Sequence, residues 1–246
     1  MDLTGSLGWR GQGWCQTAEV NTPATPTRIV LIRHGESASN AGGWLSGIDT
    51  CGGLTALGVA QAEALRNRLF LDLDLAPDAI LVSTMRRAVH TARIAAAPHG
   101  IEPQQHDDLI ERTSGEAEGL TIAEYTDKYG IAPWSDWENP LSPGGESGEE
   151  FARRVNGALD RVVAEHIGQT VWVVCHGGVI MVTAAVRWPG ETRLKVPPAV
   201  SPQNTSVNEW IVSGTGADAE WRLVRYNDHS HLVGLGANTI DAPASI

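Results

Sequence analysis

The sequence predicts an α/β protein, a three-layer α/β/α sandwich with a central, mostly parallel sheet. Two uncharged apolar runs carry that expectation, Ile29-Val30-Leu31-Ile32 and Val171-Trp172-Val173-Val174-Cys175. Such runs read as strands buried on both faces, the usual condition in a parallel sheet. From Arg28 onward, strand-like runs also alternate with stretches of helical period, so helices are expected on both faces of the sheet.

Each element has its own signal. Thr55 is placed to cap a helix reaching Leu69, with Leu57, Ala60, Ala64 and Leu65 on its apolar face. Ala79-Ile80-Leu81-Val82 is a short apolar strand, and Met85, Ala88, Val89 and Ala92 then carry a helical stripe. Residues 119 to 144 are less regular, with a short helix near Ile122–Tyr129 followed by a loop holding Trp134, Trp137, Pro140 and Pro143. Ser147-Gly148-Glu149-Glu150 is a capping-box pattern. It opens a helix with Phe151, Val155, Ala158, Leu159 and Val162 on one side. Two late strands are expected around Val207–Val212 and Trp221–Tyr226.

The chain of 246 residues suits one α/β domain with insertions. The expected division is a mobile leader over residues 1–26 and a domain over 27–246, with a lid-like insertion at about 119–147. A net charge of −11 argues against a nucleic-acid or anionic-membrane partner, so any anion site must be a local positive pocket. No apolar run approaches the ~20 residues that span a bilayer. Cys15, Cys51 and Cys175 are odd in number and lack metal-ligand spacing, which fits a reducing cytoplasm, with Cys175 a buried free thiol. A homodimer is left open.

Both long apolar runs end in histidine and glycine, as Arg33-His34-Gly35 and His176-Gly177-Gly178. Open α/β sheets place ligand crevices at the carboxyl ends of their strands. There an imidazole can act as nucleophile while a guanidinium grips phosphate oxygens in a bidentate fork. Two parallel strands with the same ending would bring His34 and His176 into one pocket.

With these motifs the chain resembles the histidine phosphatase superfamily, the phosphoglycerate mutase-like group, over roughly Arg28 to Tyr226. The resemblance implies a phosphohistidine at His34 and phosphoryl binding by Arg33. Gly35 would allow close backbone approach or a turn. Asn40 falls on the family's Arg-His-Gly-Glu-Ser-x-x-Asn and would donate its amide to phosphate; Ser37 would touch substrate or simply cap a helix. Ser83-Thr84-Met85-Arg86-Arg87-Ala88 resembles Ser-x-Leu-x-Arg-Ala, which makes Arg87 a phosphate ligand and Arg86 its variable neighbour. Without that register either arginine reads as a solvated helix charge. Leu109-Ile110-Glu111 through Glu118-Gly119 resembles Leu-x-Glu-x-x-x-Gly-x-x-Glu-Gly, implying Glu111 as the acid that protonates the leaving oxygen. Glu116 and Glu118 are then structural or rim charges.

His176 is expected to stabilise the transferring phosphoryl oxygens, with Gly177 beside it at the substrate. The six other histidines read as surface or packing residues. Gly144-Gly145-Glu146-Ser147 and Asn204-Thr205-Ser206 resemble two further family loops. Neither metal nor cofactor is implied, because Arg33, Arg87, Asn40 and His176 supply the charge and donors.

The expected activity is hydrolysis of a small phosphomonoester, with phosphoglycerate mutase-type transfer and a non-catalytic phospholigand module as alternatives. Mutases of the family continue after their acid with a Glu-Arg-His-Tyr-Gly-type segment and a basic stretch. Here Glu111-Arg112-Thr113-Ser114-Gly115 follows, and Lys128 is the only basic residue from there to Arg153 once Arg112 is passed. That departure favours a phosphatase. Glu36-Ser37-Ala38 stands where the acid phosphatase branch has x-Arg-x-Pro, which disfavours that branch.

Overall fold

The computed structural model describes residues 25–187 and 201–235. The expected leader falls almost wholly outside these residues, as do Trp9, Trp14 and Cys15. In chain order the elements are β1 (Thr27–Arg33), α1 (Ala38–Gly42), α2 (Ala56–Leu71), β2 (Ala79–Ser83), α3 (Arg86–Ala96) and β3 (Gln104–His106). There follow α4 (Ile122–Tyr129), α5 (Gly148–Glu165), β4 (Thr170–Cys175), α6 (Gly177–Arg187), β5 (Val207–Ser213) and β6 (Glu220–Asp228). The six strands form one sheet in the order β3-β2-β4-β1-β5-β6. β1 to β4 are mutually parallel where they pair, and β5 runs antiparallel to both its neighbours.

The sheet's two faces explain the unbroken apolar runs. Ile29, Leu31, Leu81, Val171 and Val173 point to one face, packed with Phe151, Val155 and Leu159 of α5 and Val179 and Ile180 of α6. Val30, Ile32, Ile80, Val82, Trp172 and Val174 point to the other, against Leu65 and Leu69 of α2 and Ala88, Ala92 and Ala95 of α3. Alternate residues thus enter opposite cores, so neither parity of the strand can be polar. Trp172 keeps its indole N–H satisfied by the Leu75 carbonyl at 2.7 Å.

Besides α6, a helix not expected from the sequence, two details depart from expectation. β3 is a short edge strand of exposed glutamines whose backbone alone pairs with β2, so no apolar pattern announces it. The buried side of α2 is Gly58, Gln61, Ala62, Leu65 and Leu69, whereas Leu57, Ala60 and Ala64 are only half-buried. Gln61 is inside because its Oε1 accepts the Glu36 N–H at 2.8 Å. Gly58 is inside because α2 comes backbone to backbone with the loop after β1.

That contact is unforgiving. A Cβ on Gly58 would lie 2.0 Å from the Glu36 carbonyl oxygen, and one on Gly35 would lie 2.4 Å from the Gly58 oxygen. Alanine has the better helix propensity by about 1 kcal/mol, but overpacking against fixed backbone costs about 1–3 kcal/mol or more. Gly58→Ala is therefore expected to destabilise the fold on balance by about 1–2 kcal/mol. Denaturant titration reads this directly, and an unchanged midpoint would show that the loop yields.

Candidate active site

Parallel pairing of β1 with β4 sets Arg33 opposite Cys175, so His34 and His176 leave the sheet at the same level. Their ring centroids are 5.2 Å apart. His34 lies with Nδ1 2.7 Å from the Gly35 carbonyl. A carbonyl only accepts, so Nδ1 carries the proton and Nε2 holds the lone pair. The Arg87 Nε–H donates to that Nε2 at 3.1 Å and also to Nδ1 of His176 at 3.3 Å. On its other side His176 places Nε2 2.7 Å from the Ser83 hydroxyl.

Arg87 stands in the first turn of α3, directly after β2, the strand next to β4. Its Nη1 donates to Ser46 Oγ at 3.1 Å and Cys51 Sγ at 3.5 Å. Arg33 donates through Nη1 to the Pro202 carbonyl at 2.5 Å. The carboxylate of Glu111 accepts the Gly178 N–H on Oε2 and its neighbour Arg112's N–H on Oε1, each at 2.9 Å. It thus lies against the first turn of α6, where free amides and the helix dipole favour an anion. Arg154 of α5 fixes this loop, donating to the carbonyls of Asp108, Ile110 and Glu111 and clasping both oxygens of Glu146.

His34, Arg33, Arg87 and His176 are therefore gathered and buried, with Glu111 half-buried at the margin. The remaining expected residues lie around this group. Ser37 caps α1, and Asn40 returns the capping box through its Oδ1. Asn204 Nδ2 donates to the His34 carbonyl at 3.0 Å and approaches Asn40 Oδ1 at 3.4 Å, so Asn40 adjoins the His34 loop with its NH₂ as the group left to donate. Gly35 has no left-handed φ; the close approach to α2, not a turn, is what requires it there. Gly177 is not constrained in this way, since a Cβ would meet Arg33 Nε at an ordinary 3.5 Å. At Gly178 a Cβ would come 2.1 Å from Glu111 Oε1, the free end of a side chain, so a methyl there would push the carboxylate aside.

Ser46, Cys51, Ser83, Gly178 and Arg154 carry no role in the sequence reading. Glu118 proves structural as expected, its carboxylate holding Thr50 N–H and O–H and so the loop that presents Ser46 and Cys51. Arg86 is exposed. The segment 119–147 is fastened beside Glu111: Arg112 donates to the carbonyls of Asn139 and Glu146 and lies 5.3 Å over the Trp137 ring. Trp137 is thus a packing residue, whereas Trp134 is half-exposed. Among the described residues no three of His, Cys, Asp and Glu are grouped to hold a metal ion, and no helix is long and apolar enough to cross a membrane.

Burial first, then the charges of Arg87 and Arg33, holds His34 well below its ordinary 6.5. Burial and Arg87, followed by His34, do the same to His176. His231 is pushed down to about 4 by burial and by Arg68, with its Nε2 3.0 Å from Thr205 Oγ1. At Cys51 burial raises the thiol, but Arg87 and hydrogen bonds from Gly53 and Arg87 outweigh it and the net shift is downward. The three histidines fold neutral and take up protons on unfolding. Their contribution to stability is complete above pH 6.5 and is lost as the pH falls toward the folded values. In phosphate-free buffer the thermal midpoint should decline from pH 6.5 to about pH 5. A flat profile there would contradict neutral buried imidazoles.

Residues 29–229 match the family model "Histidine phosphatase superfamily (branch 1)". A metal-independent phosphoserine phosphatase of Arabidopsis thaliana is 32% identical over 235 residues, covering 91% of this chain and 90% of that protein. An adenosylcobalamin/alpha-ribazole phosphatase of Salmonella typhimurium is 33% identical over 178 residues, 71% of this chain and 82% of its own length. Three mycobacterial relatives, 34% identical over 173 residues, are longer, and the chain spans 44% of each. The structure of a mycobacterial glucosyl-3-phosphoglycerate phosphatase complexed with VO3 superposes with a TM-score of 0.71 at 27% identity, covering 82% of this chain and 99% of that one. The chain belongs to branch 1 of the histidine phosphatase superfamily and is a phosphatase enzyme.

Proposed function

We propose that the chain hydrolyses a small phosphomonoester without a metal, through a phosphohistidine on His34. The observation that carries this reading is the orientation of His34. Gly35 O holds Nδ1, so the nucleophilic lone pair on Nε2 faces the same guanidinium that reaches His176. A phosphoryl group binding there takes over the hydrogen bond that Arg87 gives to the two imidazoles, with Arg33, the NH₂ of Asn40 and, once protonated at Nδ1, His176 as further donors. Nε2 of His34 attacks phosphorus in line with the ester oxygen, and Glu111 gives that oxygen its proton. Glu111 then takes a proton from water, which attacks the phosphohistidine and releases phosphate. The cations and amides stabilise charge spread over the equatorial oxygens in both steps.

Relatives named for phosphoserine, adenosylcobalamin/alpha-ribazole and glucosyl-3-phosphoglycerate support a small phosphorylated substrate. The segment 119–147, fastened beside the acid, is the part that would select the leaving group. The free, buried thiols of Cys51 and Cys175 suit a reducing cytoplasm.

Phosphate release from p-nitrophenyl phosphate, phosphoserine, sugar phosphates and phosphoglycerates, measured with chelator present, tests the reading. Turnover should persist in chelator and fall by on the order of 10³-fold or more in His34→Ala. A magnesium requirement, or an active His34→Ala, would overturn it; isomerisation of phosphoglycerate without release would assign a mutase. Gly178→Ala, which drives a methyl into Glu111, should lower kcat by about 10²-fold or more while inorganic phosphate still inhibits. Wild-type kcat in Glu111→Gln would remove Glu111 from the role of acid.

A further inference from the structure

We infer that Ser83 is a positioning residue that accepts the Nε2 proton of His176 and thereby holds the ring with its Nδ1 free to accept a proton from the bound phosphate. The inference rests on the phosphohistidine reading above. Ser83 ends β2, fully buried, and its Oγ lies 2.7 Å from Nε2 of His176. The other face of the ring is decided by Arg87, whose Nε–H is always a donor, so Nδ1 of His176 must accept. The ring's proton therefore sits on Nε2 and is donated to Ser83 Oγ. The Met85 N–H, also directed at that Oγ at 3.3 Å, holds the hydroxyl in place at the start of α3.

The arrangement leaves a basic nitrogen aimed at the phosphoryl position. A phosphomonoester arriving as its monoanion transfers its O–H proton to Nδ1, giving a dianion beside an imidazolium. The new Nδ1–H then donates to a phosphoryl oxygen, while Nε2–H keeps its bond to Ser83. The resting ring is neutral because burial and Arg87 oppose its charge. The dianion reverses that balance, and Ser83 is the acceptor that stabilises the far side of the cation.

Removing the acceptor leaves a buried N–H of a charged ring unpaired, which is worth about 1.5–3 kcal/mol, or roughly a 10–100-fold loss. Ser83→Ala should lose that factor in kcat with little change in KM, and its optimum should narrow from the alkaline side, because the proton on Nδ1 is held less tightly. Ser83→Thr, which keeps the hydroxyl, should recover most of the rate. In the wild type, ¹⁵N resonances of His176 should report a protonated Nε2 in phosphate-free buffer and protonation of both nitrogens with inorganic phosphate bound. A resting proton on Nδ1, or a Ser83→Ala enzyme with unchanged kcat and pH profile, would overturn the inference. The wild-type spectra decide it even if the alanine variant does not fold. Trapping the phosphoenzyme separates the two readings: no phosphohistidine in the wild type sinks the mechanism itself, whereas a phosphohistidine formed equally fast in wild type and Ser83→Ala sinks only the role of Ser83.

Discussion

The in-register parallel pairing of β1 with β4 is the constraint from which the site follows. Because Arg33 pairs with Cys175, the next residue of each strand is a histidine at one height, about a strand spacing apart. A slip of one residue would send Arg33 and His34 to the wrong faces and bury the wrong parity in both cores. Such a slip is opposed by two apolar layers at once, since Ile29 and Leu31 serve one face and Val30 and Ile32 the other. The same packing that stabilises the sheet therefore fixes a catalytic distance. Function adds only what comes after the last paired residue.

Beside that pair Arg87 is held by neutral acceptors. The protein's net charge is −11, and several of its arginines elsewhere find carboxylates: Arg28 with Glu209, Arg154 with Glu146, Arg187 with Asp160. Arg87, more deeply buried than these, has two imidazole nitrogens, a hydroxyl and a thiol as its hydrogen-bond partners. A buried cation held by neutral acceptors is costly to fold but ready for an anion, because no carboxylate must be displaced first. Glu111 is drawn to the amides of α6, and Glu146 is engaged by Arg154 and the Thr113 N–H.

What the sequence revealed and what it hid follow from the range of each interaction. The capping boxes at Ser147 and the apolar runs of β1 and β4 are local, and they stand where the residues place them. The gathering of His34 and His176 was readable because two strands end in the same grammar. Arg87 was readable only through its motif, since its spacing in α3 alone suits a solvated charge. Ser46, Cys51 and Arg154 act across loops tens of residues from their partners, and no period or spacing marks them. Gly178 was hidden beside Gly177: the reason for a glycine there is a carboxylate 67 positions away. The face of α2 was misjudged because a glutamine and a glycine, the residues least expected in a core, are the ones the β1 loop requires inside.

The acid and the segment that would choose the substrate are mechanically one unit. Arg112 follows Glu111 in the chain; its backbone N–H holds the acid's carboxylate, and its side chain holds the carbonyls of Asn139 and Glu146. Glu146 in turn accepts the Thr113 N–H and binds Arg154, which grips the carbonyl of Glu111 itself. A change in the 119–147 segment that shifts these anchors moves the acid as well as the wall of the pocket. Binding and protonation of the leaving group are thereby coupled in this fold, whereas His34, Arg87 and His176 stand on strand ends and a helix start. Substitutions in the segment should then act on the step that expels the leaving group and spare dephosphorylation by water only to the extent that Glu111 keeps its place. That dependence follows because one carboxylate serves both steps, and here its position is set by the loop that meets the substrate.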